Sequence, residues 1–225
     1  MLNLTHRDPS GHEHPTSLEP GKRYTVTVRL NVIAHALPAG HRWRVAVSPT
    51  YWPHAWPSPE PVKLTIFTGE LSYLTLPILP YGQTNVSAPV PDHFNHPEHA
   101  QPLALETLAG KNRERTAHYD QVTGKLTLTD KSERGYIRFV GSGLENDYTS
   151  IDTFSIIEGQ PRSATAQSDR TIRIGRGEWQ TRIETSSLLT STATHFHVTN
   201  TLNAYEGEVR VFAKTWTFSV ARDLV

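Results

Sequence analysis

Lys22-Arg23-Tyr24-Thr25-Val26-Thr27-Val28-Arg29-Leu30-Asn31-Val32 alternates without an exception. Tyr24, Val26, Val28, Leu30 and Val32 fall on one side of an extended chain, and Thr25, Thr27, Arg29 and Asn31 on the other. Successive side chains of a strand point to opposite faces, so this period of two predicts a half-buried β-strand; a helix would repeat at three and four. Outward from it the same pattern recurs. Trp43, Val45 and Val47 alternate with Arg42, Arg44 and Ala46; Val62, Leu64 and Ile66 make a third strand; Leu74, Leu76 and Ile78 make a fourth. Leu37-Pro38-Ala39-Gly40 has Pro second and Gly fourth, the preference of a type I turn, and Thr68-Gly69-Glu70 turns between the third strand and the fourth. Four such strands near the start predict part of an antiparallel sandwich.

Regular patterning then stops. Pro77, Pro80, Pro89, Pro91, Pro97 and Pro102 fall in or beside residues 81–102, and proline has no N–H to give a ladder. This stretch reads as an irregular connection and a domain boundary. Leu103 to Lys111 reads as a short helix. Beyond it the turn Gln121-Val122-Thr123-Gly124 separates two β stretches, Tyr136–Val140 and Asp147–Ile157 follow, and Gly175-Arg176-Gly177 joins Ile172 and Ile174 to Trp179, Thr181 and Ile183. Phe196, Val198 and Leu202 alternate with His195, His197 and Thr199; after Glu206-Gly207 the chain returns with Phe212, Trp216, Phe218 and Val220 on one face. The expected organisation is therefore a first β unit over 1–80, a proline-rich connection over 81–102, and a second antiparallel β unit over 103–225.

Composition narrows the function. The 225 residues carry 22 Lys+Arg and 22 Asp+Glu, so no net field draws the chain to nucleic acid or to an anionic membrane. No apolar run approaches the ~20 residues of a membrane span, and charge at Arg7 and Asp8 precludes a signal-peptide core. The composition is that of a soluble cytoplasmic chain, with neither nucleic acid nor membrane as partner. The absence of Cys excludes thiolate nucleophiles and Cys-ligated zinc. Gly141-Ser142-Gly143 is too short for the G-x-S-x-G elbow of serine hydrolases and reads as a turn, and no phosphate-binding or dinucleotide motif is present.

Two features stand out against this background. The 12 histidines include His6, His12 and His14, then His93, His96 and His99, then His195 and His197 on one strand face. No third ligand or carboxylate base stands at metal-site spacing, so these read as solvated loop and strand-face histidines, with no metal and no cofactor expected. The second feature is Tyr51-Trp52-Pro53-His54-Ala55-Trp56-Pro57-Ser58-Pro59-Glu60-Pro61. A stiff loop with two tryptophans suits a binding surface for a sugar face or another domain, with Trp52, His54 and Trp56 as its contacts. Equally, the two indoles fold back over one end of their own sandwich. No catalytic residue is assigned.

Several of these stretches resemble a family. Pro20-Gly21-Lys22-Arg23-Tyr24-Thr25-Val26, Ala39-Gly40-His41-Arg42-Trp43-Arg44-Val45, Trp52-Pro53 with Trp56-Pro57-Ser58-Pro59, and Leu76-Pro77 are similar to the C-terminal β-domain of X-Pro dipeptidyl-peptidase-like hydrolases. These are the CocE/NonD acylases and esterases, cocaine esterase among them. A looser likeness to the extension of a longer subgroup runs through Asp147–Ile157, Arg176-Gly177-Glu178-Trp179, His195-Phe196-His197 and Ala221-Arg222-Asp223-Leu224-Val225. The resemblance implies an all-β chain: a jelly-roll, galactose-binding-like β-sandwich, incomplete at its N-terminal side, followed by the second antiparallel unit. It also implies an α/β-hydrolase catalytic domain as partner, carried on the same longer chain or on an adjacent gene product. That domain would bear the Ser-His-Asp triad, none of which maps onto these residues, so the chain is expected to be inactive alone. Missing strands would leave Val26, Val28, Val45 and Val47 uncovered and favour self-association. The competing reading is a stand-alone carbohydrate- or ligand-binding β-sandwich module.

Overall fold

The computed structural model describes residues 3–6, 13–78 and 98–225. Among these residues the regular structure is β apart from one short 3-10 turn, Leu4–His6. The strands are β1 (Leu105–Ala109), β2 (Asn112–Asp120), β3 (Lys125–Glu133), β4 (Tyr136–Phe139), β5 (Leu144–Ile157), β6 (Gln160–Arg176), β7 (Trp179–Ser191), β8 (His195–Glu206) and β9 (Val209–Ala221). They form one antiparallel sheet, with every neighbour from β5 to β9 joined by a hairpin.

The sheet's first two lines are interrupted strands. β1 pairs β4 and β2 pairs β3, while β3 and β4 both lie along β5. The kink falls at Gly135, whose φ of +92° lies in the left-handed region, and where a Cβ would stand 3.1 Å from the Ala109 carbonyl oxygen. Only glycine meets both conditions. Later turns use a second device. Gly177-Glu178 and Gly207-Glu208 are two-residue connections with Gly first at φ +58° and +55°, which is the type II′ pattern that follows the twist of its strands.

Cross-strand rows show how the period of two is used. Ala117, Leu128, Phe154, Ala166, Leu189, Val198 and Phe218 stand opposite one another in turn from β2 to β9, all apolar. On the other face Thr116, Thr129, Thr153, Gln167, Leu188, Thr199 and Thr217 form the adjacent row, polar but for one leucine. A sheet so divided has one face to cover and one to leave in water. A polar belt crosses the apolar face at its middle, from Asp130 and Asp152 through Ser168, Ser187 and Asn200 to Trp216.

The described residues cover little of that apolar face. Among the described residues Ala164, at 1% exposure, is the one fully buried apolar side chain.

The second β unit is as the sequence predicts, with two differences. Leu103–Lys111 is not a helix: Leu105–Ala109 is β1, paired from Leu105 opposite Phe139 to Ala109 opposite Tyr136. Ladder formation with a waiting neighbour overrides weak local helix propensity. The polar N-terminal half of β6, Gln160–Thr171, is also strand. It carries little apolar periodicity because it draws its stability from β5 and β7 on either side.

The first unit differs more. The alternating segments around 22–32, 42–47, 62–66 and 74–78 form no ladder with one another. Periodicity decides which side of a strand is apolar; it does not supply a neighbour for the backbone. Val26, Val28, Val45 and Val47 stand 42%, 50%, 66% and 58% exposed. The turns do form. Lys22 N donates to Glu19 O at 3.1 Å across Pro20-Gly21, with Gly21 at φ +80°. His41 N donates to Pro38 O at 3.1 Å, with Gly40 at φ +84°. Both are type II turns, so the second lies one residue later than the expected type I turn, because Gly40 takes the position that needs a positive φ. The proline-rich connection lies largely outside the described residues, as do His12, His93 and His96.

Candidate functional site: the tryptophan loop on the sheet

Pro53, Pro57, Pro59 and Pro61 deny residues 51–61 any regular ladder, and the segment winds into one tight turn instead. Ala55 N donates to Tyr51 O at 2.8 Å. Four residues apart, Trp52 and Trp56 therefore lie side by side, edge to face at 5.1 Å and 86°. The peptide bond between Trp52 and Pro53 is cis.

Both indoles face the apolar side of the sheet. Trp52 meets the Phe154 ring on β5 edge to face at 6.2 Å, and Trp56 meets Phe196 on β8 at 5.6 Å. The four rings form a herringbone, the arrangement that sets the positive edge of one ring on the negative face of the next. Trp56 Nε1 donates to Ser191 Oγ at 2.9 Å, at the end of β7. The buried Trp52 Nε1 finds no acceptor among the described residues. His54, between them, is exposed and lies 4.7 Å from the Tyr51 ring.

Arg222 completes the contact from below. It is 2% exposed, and its Nη2 donates to Pro57 O at 2.6 Å. Nη1 donates to Thr192 O at 3.1 Å and to Ser191 Oγ at 3.3 Å, and the guanidinium lies over the Phe196 ring, 4.9 Å from its centre. Burial draws its pKa down from the ordinary value, yet a guanidinium stays charged. Carbonyl dipoles and an aromatic face therefore solvate the cation, each at close range.

The tail holds this arginine in place. Asp223 and Leu224 take φ of +50° and +65°, and Val225 N donates back to Arg222 O at 3.0 Å, a type I′ turn. Arg222 N itself donates to Thr194 O at 2.9 Å. Near the other end of the chain, Thr5 Oγ1 donates to Leu224 O at 3.0 Å. One site thus gathers the loop at 51–59, the ends of β7 and β9, and residue 5.

The structure brings Trp52 and Trp56 together and turns their faces inward, onto the sheet; His54 is left outside. Ser191, Arg222, Phe154 and Phe196 are the partners that sequence reading did not assign. Phe154 and Phe196 were visible as apolar strand positions, but an arginine just past a strand carries no signal that it will be buried. His195 and His197 do share a face, their rings stacked at 6.4 Å. Among the described residues no three His, Asp or Glu side chains converge on a metal-sized site. Among them, too, no helix is long and apolar enough to cross a membrane.

The loop lies within a recognisable unit. Residues 1–106 match the X-Pro dipeptidyl-peptidase C-terminal non-catalytic domain. The match takes in all the stretches of the first eighty residues on which the resemblance rests, and it ends at the start of β1. Comparison with curated proteins and with solved structures returns no match. The matched residues therefore supply the tryptophans, and the sheet that follows them supplies their receptor. As its description states, that domain is non-catalytic.

Proposed function

We propose that this chain is the non-catalytic C-terminal β region of a CocE/NonD-type serine hydrolase, an acylase, esterase or X-Pro dipeptidyl-peptidase-like enzyme of the cytoplasm. In this reading residues 1–80 are part of a jelly-roll, 81–102 a connection and 103–225 the second β unit. The region packs against an α/β-hydrolase catalytic domain and shapes access to its active site. Trp52 and Trp56 serve as the internal fastener that orients the two β units, while exposed His54 and Tyr51 at the loop tip remain available to the catalytic domain.

The observation that carries this is the docking of a loop from the matched residues onto the sheet that follows them. It favours domain packing over a sugar platform, because stacking on a sugar needs free indole faces and these indoles are engaged with Phe154, Phe196 and each other. The uncovered valines of the first unit support a catalytic partner that supplies the missing neighbours.

The test is kinetic and structural together. The pure chain should turn over neither an activated ester nor an X-Pro anilide. Added α/β-hydrolase domain should protect the amides of 22–32 and 42–47 from hydrogen exchange. Turnover by the chain alone that a serine-directed phosphonate abolishes would overturn the reading, as would unchanged exchange at saturating partner.

A further inference from the structure

His195 and His197 open β8 two residues apart, so both side chains leave the polar face of the sheet. Phe196, between them, points the other way and meets Trp56. Both imidazoles are exposed, and their rings are nearly parallel, 25° apart, with centres 6.4 Å from each other.

The backbone beneath them is fixed. His197 pairs with Thr190 on β7 and with Ser219 on β9, and His195 pairs with Ala221 on β9. In the tight turn that leads in from β7, Thr192 N donates to His195 O at 2.9 Å, and His195 N donates to Thr192 Oγ1 at 3.1 Å. One ring is held as well, since His195 Nδ1 lies 2.9 Å from Thr194 Oγ1. With the proton on Nδ1 and donated to Thr194, the lone pair of Nε2 is left for a metal. A hydrogen bond from the other ring nitrogen is what orients ligating imidazoles in general. Thr190, Ser219 and Ala221, which stand opposite the pair, and Thr199, next on the same face, carry no charge to repel a cation.

We infer that His195 and His197 form a two-nitrogen chelate for a divalent late transition ion, Cu²⁺ before Ni²⁺ or Zn²⁺, with water in the remaining positions. Metal–nitrogen bonds of ~2.0 Å set two imidazoles bound side by side with ring centres roughly 5 Å apart. The rings must therefore close by only ~1–2 Å, which exposed side chains on a fixed strand do by small rotations. Imidazole nitrogen without carboxylate suits late transition ions, Cu²⁺ most tightly, and not Mg²⁺ or Ca²⁺, which take oxygen. With no Cys in the chain, no thiolate competes for the ion. Two protein ligands, where a closed structural zinc site has four, make the ion exchangeable.

Titration of the untagged full chain with Cu²⁺ tests this, at mildly alkaline pH where ligating imidazoles are neutral. The chain has other histidines, so the readout is the difference between variants. His195→Gln and His197→Gln each remove a ligand and should weaken binding about tenfold or more, since even an outer partner is worth that much. His118→Gln removes a histidine that stands alone on β2 and should change binding less than about twofold. Thr194→Val frees the His195 ring and should weaken binding by up to about tenfold. In amide NMR spectra, substoichiometric Cu²⁺ should broaden residues 195–197, Thr190 and Ser219 first. Matching circular dichroism establishes that the variants fold. Equal affinity in the wild type and both Gln variants overturns the inference, as does broadening that starts elsewhere and spares β8.

Discussion

Removing the charge from the buried guanidinium measures what fastens the two β units. Arg222→Met keeps the length of the side chain and deletes the donors to Pro57 O, Thr192 O, Ser191 Oγ and the C-terminal Val225 O. The Pro57 and Thr192 carbonyls then lie without this partner, at ~1–3 kcal/mol each, while water reaches the oxygen of the exposed Val225. Losing the cation over Phe196 adds ~0.5–2 kcal/mol. Against this, the variant no longer desolvates a charge, which returns part of the loss, so the net destabilisation should be about 3 kcal/mol. Trp56→Ala removes a half-buried indole and its bond to Ser191, for roughly 2 kcal/mol. The two side chains share Ser191 Oγ and the Phe196 ring, so they should not act independently. A double-mutant cycle in urea, followed by circular dichroism, should give a coupling energy of ~1–2 kcal/mol. Hydrogen exchange at residues 51–59 should rise in each single variant and no further in the double. Additive losses, or an Arg222→Met midpoint indistinguishable from wild type, would refute the idea that one shared contact joins loop and sheet.

Trp52 and Trp56 should part company under a milder change. Trp56→Phe removes the shorter of the two bonds that Ser191 Oγ accepts and should cost ~1 kcal/mol, whereas Trp52→Phe removes a buried donor that has no acceptor among the described residues and should be neutral or slightly stabilising by the same urea assay. At the β6–β7 turn, Gly177→Ala forces a Cβ onto a φ of +58° and should lower the unfolding midpoint by the equivalent of ~1 kcal/mol without changing the spectrum of the folded chain. Acid should act through carboxylates held below their ordinary values: Asp130 by its bonds from Arg113, Asp120 by Thr123, Glu133 by Lys131, and Glu145 by Tyr136 and then Arg138. A depressed folded value gives stability that is present above the unfolded value and lost as pH falls through the folded one. Urea midpoints should thus hold steady down to about pH 4 and decline below it, and Arg113→Met should shrink the Asp130 share of that decline.

Strand positions were readable wherever one face of a strand meets an apolar layer and the other meets water. Phe196 to Val198 and Phe212 to Val220 announce themselves for that reason, and Gly177 and Gly207 mark turns because their backbone needs a positive φ; Tyr24 to Val32 carries the same pattern but pairs with no neighbour among the described residues. Leu105–Ala109 and Gln160–Thr171 did not announce themselves, since their place is decided by β4, β5 and β7 and not by their own composition. The loop at 51–61 was recognisable as a special feature from its prolines and indoles alone. Where those indoles point was not, because Ser191 and Arg222 lie 135 and 165 residues from their loop partners. No local pattern encodes so remote a bond.

The distribution of burial bears on how the parts depend on each other. Trp52 and Trp56 lie on the sheet's apolar face, and among the described residues the one fully buried hydrophobic side chain of the core, Ala164, is on β6, which runs between Phe154 and Leu189 in that same apolar row. Hydrophobic stabilisation scales with the area removed from water, so the loop contributes out of proportion to its length. The loop belongs to the matched domain, and its receptor to the residues beyond it. Cutting between them at the proline-rich connection would therefore uncover Phe154 and Phe196 on one piece and both tryptophans on the other. The sheet expressed as 103–225 should then bind the dye 8-anilinonaphthalene-1-sulfonate more strongly than the whole chain. Adding back a peptide of residues 50–61 should reverse that increase, whereas the same peptide carrying Trp56→Ala should not. A sheet that binds no more dye than the intact chain would mean that the tryptophan loop covers nothing the sheet needs covered.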